Sequence, residues 1–185
     1  MNYGNIKFND IANGPGVRVS LFVSGCRNHC PGCFNPETWD FNYGKEFTNK
    51  TIMEIVNELN KPQYQGLTIL GGDPLEPENI RCVADICGYV KYMLPDKDIW
   101  LYTGYVLEDK YKDYISKSRL TGNMEDFITY IKMSKICKFV DVIVDGPFIQ
   151  EQKDISLQFR GSKNQRIIDV NESRKQQQIV LWDGK

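Results

Sequence analysis

The chain has 185 residues and a formal net charge of −1. Hydrophobic residues make up 41% and charged residues 25%, which are ordinary proportions for a globular protein, and the length predicts a single domain over residues 1–185. With so little net charge, no broad electrostatic field favours nucleic acid or a membrane surface as a partner. No apolar run approaches the length needed to span a bilayer.

The N-terminal residues are polar and lack the apolar core of a signal peptide, as Asn2, Asn5 and Lys7 illustrate. The chain nevertheless contains six cysteines. Without an export signal, this number favours a reducing compartment and metal binding over structural disulfides. A cytoplasmic location is therefore expected.

The first predicted strand leads directly into a loop that is rich in cysteine. Asn13–Gly16 predicts a turn, and Val17–Val23 alternates and is rich in β-branched and aromatic residues, as a strand would be. Ser24 and Gly25 end this strand. Cys26, Cys30 and Cys33 follow, separated by three and two residues.

Three thiols at this spacing cannot all pair in disulfides. A cubane iron–sulfur cluster held entirely by protein needs four thiolates, so three leave one iron open to bind a small molecule. Two alternatives are a zinc knuckle with His29 as the fourth ligand, and an ordinary cluster completed by a cysteine elsewhere. Zinc sites usually combine two close pairs of ligands, and no second pair follows here. The spacing therefore favours the cluster with an open iron.

A helix and a second strand come next. Thr48 is a candidate N-cap, and the helix ends before Pro62; its apolar residues at helical spacing are Ile52, Ile55, Val56 and Leu59. The short strand Leu67–Leu70 leads into Gly71-Gly72-Asp73-Pro74. Two glycines at a strand end allow a ligand to approach the backbone closely, although such a pair is also common in plain turns.

The rest of the chain continues to alternate helices with strands. The predictions are a helix over Pro77–Leu94, a strand over Ile99–Tyr102, two helical segments within residues 106–137, a strand over Phe139–Val144 and possible edge strands at Arg166–Val170 and Gln178–Trp182. Cys87 belongs to the apolar stripe of the second helix and is expected in the core. Asp145, at a strand end, and Arg160, in a polar loop, are candidate functional residues; ordinary turn and surface roles are the alternatives.

The Cys-x3-Cys-x2-Cys spacing resembles the cluster loop of the radical S-adenosylmethionine enzymes. Asn13-Gly14-Pro15-Gly16 before the loop and Cys30-Pro31-Gly32-Cys33-Phe34-Asn35 within it resemble, more narrowly, the activating enzymes of anaerobic ribonucleotide reductase. The likeness extends from the N-terminus to about Arg166. It implies a [4Fe-4S] cluster on Cys26, Cys30 and Cys33, whose open iron chelates S-adenosylmethionine. Reductive cleavage would then give a 5′-deoxyadenosyl radical that abstracts hydrogen from a glycine of the reductase large subunit.

The resemblance also implies cofactor contacts. Gly-Gly-Asp-Pro is similar to the family's Gly-Gly-Glu-Pro motif, which implies that the methionine end is held by Gly71, Gly72 and Asp73. The nucleoside is expected to contact Gly32, Cys33 and Phe34. The wider family usually has an aromatic residue where Gly32 stands, so adenine stacking is expected to shift to Phe34 or to the backbone. No catalytic residue is expected beyond the cluster and the cofactor, and the implied electron donor is flavodoxin-like or ferredoxin-like.

Strands that alternate with helices predict an α/β fold with a parallel sheet and helices on its outer face. The predicted strands are too few to close an eight-stranded barrel, and the resemblance implies an incomplete (β/α) barrel of the radical S-adenosylmethionine type, open on one side to a polypeptide. Three other functions remain open. They are an activator of another glycyl-radical enzyme such as pyruvate formate-lyase, a radical enzyme acting on a small molecule, and a non-enzymatic iron–sulfur electron-transfer or zinc-binding module.

Overall fold

A computed structural model describes residues 1–107 and 135–184. The strands found there form one sheet: β1 (Asn2–Asp10), β2 (Val17–Val23), β3 (Lys45–Glu46), β4 (Tyr64–Gly71), β5 (Asp98–Tyr102), β6 (Val142–Asp145) and β7 (Arg166–Asp169). Their order is β3-β1-β2-β4-β5-β6-β7. The central strands β2, β4, β5 and β6 are parallel, whereas β1, β3 and β7 pair antiparallel with their neighbours.

The helices of the described residues are α1 (Asn49–Leu59), α2 (Ile80–Met93) and α3 (Val170–Gln176), with 3-10 turns at Pro36–Trp39 and Gln150–Gln152. Residues 135–139 are also helical. A search of the described residues finds no helix with the length and apolar character to cross a membrane.

One face of the sheet packs on helices α1 and α2 to form the main core. Alternate residues of β2 point into this core, namely Val19, Leu21 and Val23. The helix α1 presents a buried stripe of Ile52, Ile55, Val56 and Leu59. Its first turn is closed by Thr48, whose backbone N–H donates to Thr51 Oγ1 at 3.2 Å. The apolar residues at helical spacing in the sequence therefore form the buried face of α1, which packs on the sheet.

The opposite face of the sheet is partly polar. The buried guanidinium of Arg18 donates to Thr68 Oγ1 at 2.6 Å and pairs with Asp98. Arg18 also donates to the carbonyl of Pro15 at 3.2 Å, which holds the Asn13–Gly16 turn against the sheet. Nearer the carboxyl ends of the strands, this face carries Phe22, Leu70 and Tyr102, which lie in register on β2, β4 and β5.

The predicted α/β class is confirmed, but the sheet is mixed rather than wholly parallel. The first three predicted strands are present, and the edge strand after Arg166 is β7. The fourth strand begins at Val142 instead of Phe139, because residues 135–139 are helical. The segment Gln178–Trp182 forms only a bridge from Leu181 to Ile168.

Strands β1 and β3 and helix α3 were not expected from the sequence. The two helical segments predicted within residues 106–137 fall largely outside the described residues, whose gap covers residues 108–134.

Candidate functional site

A cavity of about 450 Å³ opens at the carboxyl ends of the parallel strands. This volume lies within the usual range of small-molecule sites, and strand carboxyl ends are where α/β proteins gather their ligands. Its wall includes residues from four loops that follow strands β2, β4, β5 and β6: Cys26, Cys30, Cys33, Gly71, Gly72, Thr103, Gly104 and Phe148. The cysteine loop and the Gly-Gly turn, predicted separately, therefore face one space.

Backbone hydrogen bonds hold the first cysteine in place. The Gly25 N–H donates to the Thr38 carbonyl at 2.8 Å, and the Cys26 N–H donates to the Trp39 carbonyl at 3.2 Å. Gly25 has φ of +98°, and a Cβ at this position would lie 2.2 Å from the ring of Phe41. Only glycine can make this turn, because any side chain would be strained and would collide with that ring.

The three thiols are free, and their surroundings differ. Burial raises the pKa of Cys26 to about 11, and the negative charges of Asp73 and Glu76 act in the same direction. Burial also raises the pKa of Cys30, and the backbone of Phe148 partly offsets this shift. The Asn35 N–H donates to Cys33 Sγ at 3.4 Å. A thiol such as Cys26 loses its proton readily only when a metal centre binds the sulfur, because the positive charge of the metal compensates the thiolate.

This donor set fits a cubane cluster better than a single metal ion. Within the described residues, no three His, Cys, Asp or Glu side chains converge as the ligands of one ion would. Tetrahedral zinc requires that convergence, and His29, its proposed fourth ligand, instead stacks on Trp39 with ring centroids 4.7 Å apart. In a cubane each cysteine binds a separate iron, so the thiols need only surround one volume.

All six cysteines lie within the described residues, and none beyond these three lines the cavity there. Cys87 is fully buried in α2, as predicted, and Cys82 and Cys137 pack against the same core. The alternative of an ordinary cluster completed by a distant cysteine therefore has no support in this arrangement.

The Gly-Gly turn is bound to the cysteine loop. The Gly72 N–H donates to the Val23 carbonyl at 2.7 Å, and the Asp73 N–H donates to the Gly25 carbonyl at 2.8 Å. A Cβ on Gly72 would lie 2.5 Å from the Gly25 carbonyl oxygen. Gly72 thus permits the close approach of two protein loops, in addition to lining the cavity.

Asp73 lies behind the cavity wall rather than within the lining. Its side chain is fully buried and accepts hydrogen bonds from Thr103 Oγ1 at 2.9 Å, from the Gly104 N–H at 2.9 Å and from Asn28 Nδ2 at 3.1 Å. Burial raises the pKa of Asp73 to about 6, although the hydrogen bonds from the Leu75 N–H, the Gly104 N–H and Thr103 oppose the shift. The carboxylate joins the cysteine loop, the Gly-Gly turn and the end of β5.

Two further buried residues reinforce this junction. Asn79 Nδ2 donates to the carbonyls of Ser24 and Asp73, each at 2.9 Å. The fully buried Glu76 accepts from the backbone N–H of Arg27 at 2.8 Å and from Tyr105 Oη at 2.9 Å. Sequence reasoning missed both, and the available signal was the run of polar residues between the Gly-Gly turn and α2.

Phe34 and Arg160 both line the cavity, as does Cys33. Phe34 is 64% exposed, and Arg160 Nη1 donates to the Gln165 carbonyl at 2.7 Å. Gly32 is not part of the lining but lies beside it, next to Gln150 and Phe148.

Asp145 is buried outside the cavity lining. It pairs with Arg166 on β7, whose Nε lies 2.9 Å from Oδ1, and accepts from the Leu107 N–H at 2.9 Å. These contacts give Asp145 a structural role that ties β6 to β7.

Comparison with known proteins agrees with this site. A family described as "4Fe-4S single cluster domain" matches residues 12–168. The chain is 41% identical over 167 residues to a protein of Enterobacteria phage T4, covering 90% of this chain and 93% of the relative. It is 38% identical over 167 residues to a protein of Escherichia coli K12, covering 89% and 96%. A protein of Vibrio cholerae is 40% identical over 169 residues, covering 90% and 97%. Each relative is named "Anaerobic ribonucleoside-triphosphate reductase-activating protein". No solved structure gives a significant match.

Proposed function

Because the chain belongs to the family of anaerobic ribonucleoside-triphosphate reductase-activating proteins, we propose that it generates a glycyl radical on the large subunit of an anaerobic ribonucleotide reductase. It does so as a radical S-adenosylmethionine enzyme with a [4Fe-4S] cluster. The observation that carries the proposal is the meeting of three free cysteines and the Gly-Gly turn around one cavity, in a chain that matches these relatives over about nine-tenths of its length.

Cys26, Cys30 and Cys33 are the proposed cluster ligands, and the cavity beside them is the proposed cofactor site. When bound, the cluster supplies the electron that cleaves S-adenosylmethionine. The protein then has to bind, orient and shield the cofactor. The exposed backbone of Gly71 and Gly72 is the proposed contact for the methionine end, which agrees with its position in the cavity wall.

Asp73 is proposed to act through the turn that it holds. Its carboxylate oxygens are already engaged by Thr103, Gly104 and Asn28. Rigid support of this kind fixes the binding backbone before the cofactor arrives, which reduces the ordering cost of binding.

We also propose that residues 1–185 form a single domain, curved as an incomplete (β/α) barrel whose open side admits the glycine-bearing loop of the reductase. A mostly parallel centre and a cavity at the strand ends support this architecture. A flavodoxin-like or ferredoxin-like protein is the proposed electron donor, and the cytoplasm the proposed location.

The function is tested by electron paramagnetic resonance. Reconstituted protein, S-adenosylmethionine, a reductant and the cognate anaerobic reductase should together give a glycyl radical signal. The Cys30→Ala variant should give none, because one iron loses its protein ligand. Pyruvate formate-lyase, offered in place of the reductase, should remain without a radical.

Two results would contradict the proposal. If the Escherichia coli relative activates the cognate reductase and this protein does not, the assigned partner is excluded. Cofactor cleavage that proceeds normally without any protein radical would favour the small-molecule alternative.

A further inference from the structure

A side chain is disfavoured at the position just before the third cysteine. Gly32 has φ of +74°, and a Cβ there would lie 2.1 Å from Gln150 Oε1 and 3.4 Å from Phe148 Cε1. The space beside the cysteine loop is therefore filled by the segment that follows β6. Next to Gly32, the cavity is therefore bordered by a side chain of that segment, Phe148.

Phe148, in that segment, lines the cavity together with the three proposed cluster ligands. The ring packs edge-on against Phe34, with centroids 5.3 Å apart and an interplanar angle of 60°. On the other side, a Cβ at Gly161 would lie 3.0 Å from Phe148 Cδ2 and 3.1 Å from Phe34 Cε2. Gly161 therefore packs closely against both rings.

The two rings differ in what they can offer to a ligand. Phe34 is 64% exposed, and the ammonium of Lys153 lies 5.3 Å from its ring centroid. Phe148 is only partly exposed, and its ring packs against that of Phe34. A planar base gains most from an aromatic face that is held rigidly and shielded from water.

We propose that Phe148 provides the aromatic face on which the adenine of S-adenosylmethionine stacks, with Phe34 supporting the Phe148 ring from its edge. The proposal rests on the proposed function, because it assigns a residue of the same cavity to the nucleoside end of the same cofactor. It also moves the stacking role expected of Phe34 to a residue that lies far away in the sequence.

The test compares two ligands that share the methionine groups but not the adenine. Reconstituted Phe148→Ala should retain its iron content and its cluster spectrum, since Phe148 is not a proposed cluster ligand. Its dissociation constant for S-adenosylmethionine, measured by anaerobic calorimetry, should rise by about 5- to 150-fold, the range of base–aromatic stacking. Its affinity for free methionine should not change. Phe148→Trp and Phe148→Tyr should retain tight binding, whereas Phe148→Leu, which is apolar but has no aromatic face, should not.

Phe8→Ala is the matched control, because Phe8 is a partly exposed aromatic on β1 outside the cavity lining. Unchanged S-adenosylmethionine affinity in Phe148→Ala would overturn the proposal. An equal loss of methionine affinity would also overturn it, since the residue would then act on the cluster site as a whole. These outcomes differ from failure of the proposed function, in which the unaltered protein itself would not activate the reductase.

Discussion

At the scale of single residues, the site includes two thiols, Cys26 and Cys30, whose burial opposes ionisation. Cys26 is buried, with the carboxylates of Asp73 and Glu76 nearby. The backbone of Asn28 and of His29 lowers the pKa of Cys26 and partly offsets this effect. A pocket that disfavours a bare thiolate, and in which Asn35 supplies an N–H donor to Cys33 Sγ, is suited to thiolates whose charge is balanced by iron.

The ligand assignment predicts a sharp division among the six cysteines. The protein reconstituted without oxygen should contain about four irons per chain, as a single cubane requires. Replacing Cys26, Cys30 or Cys33 by Ala should abolish the cluster, because one iron then loses its only protein ligand. Cys82→Ala and Cys137→Ala are the controls and should retain it. Iron and sulfide analysis with visible absorption measures the outcome; a ligand variant that keeps its iron, or a control that loses it, refutes the assignment.

The three cysteines could be predicted from the sequence because their spacing is local and specific to one chemistry. Phe148 and Asn79 could not, because their importance arises from contacts with residues far away in the chain. The motif around Asp73 predicts a cofactor contact, and this stays a prediction. Its carboxylate also accepts hydrogen bonds from Thr103 and Gly104 behind the cavity wall, and these contacts could not be read from the sequence.

At the scale of secondary-structure elements, the central strands were predictable because each is a short apolar run between helical patterns. The first strand was not, since β1 has mostly exposed or half-exposed residues and two register shifts against β2 break its alternation. The apolar run from Phe139 has the pattern of a strand, yet residues 135–139 are helical. Periodicity alone does not separate a short buried helix end from a strand.

The loops after β2 and β4 act as one unit, and Asn79 at the start of α2 joins them. Asn79→Ala should lower the free energy of unfolding by about 2 kcal/mol or more, because the buried carbonyls of Ser24 and Asp73 each lose a donor. Asn79→Asp should be at least as destabilising, since a carboxylate would face those same carbonyl oxygens. Urea unfolding measures both effects.

The control for this prediction is Asn57→Ala, on the exposed side of α1, where alanine favours the helix. The Asn79 variants should also bind S-adenosylmethionine more weakly per cluster-loaded chain, because the Gly-Gly turn loses its connection to the cysteine loop. If Asn79→Ala were as stable as Asn57→Ala, the hydrogen bonds of Asn79 would contribute nothing to the free energy of unfolding.

At the scale of the whole molecule, the two faces of the sheet have different roles. Helices α1 and α2 cover one face and form the main core. The other face carries Phe22, Leu70 and Tyr102 on adjacent strands, and these residues extend the cavity wall below the cysteine loop. A rigid, buried face thus supports an open one, where a cofactor and a polypeptide can meet. The sequence indicated the alternation of elements but not the antiparallel edges, because these depend on pairing between distant segments.

The central claim is that the cofactor bound in this cavity takes hydrogen from a glycine of the reductase. Its most direct test is the mass of the 5′-deoxyadenosine formed when the reductase carries glycine deuterated at the α-carbon. The account predicts that the product gains a single deuterium as the glycyl radical appears, and that Cys30→Ala yields neither. A glycyl radical that forms while the 5′-deoxyadenosine remains unlabelled would contradict direct transfer at this site.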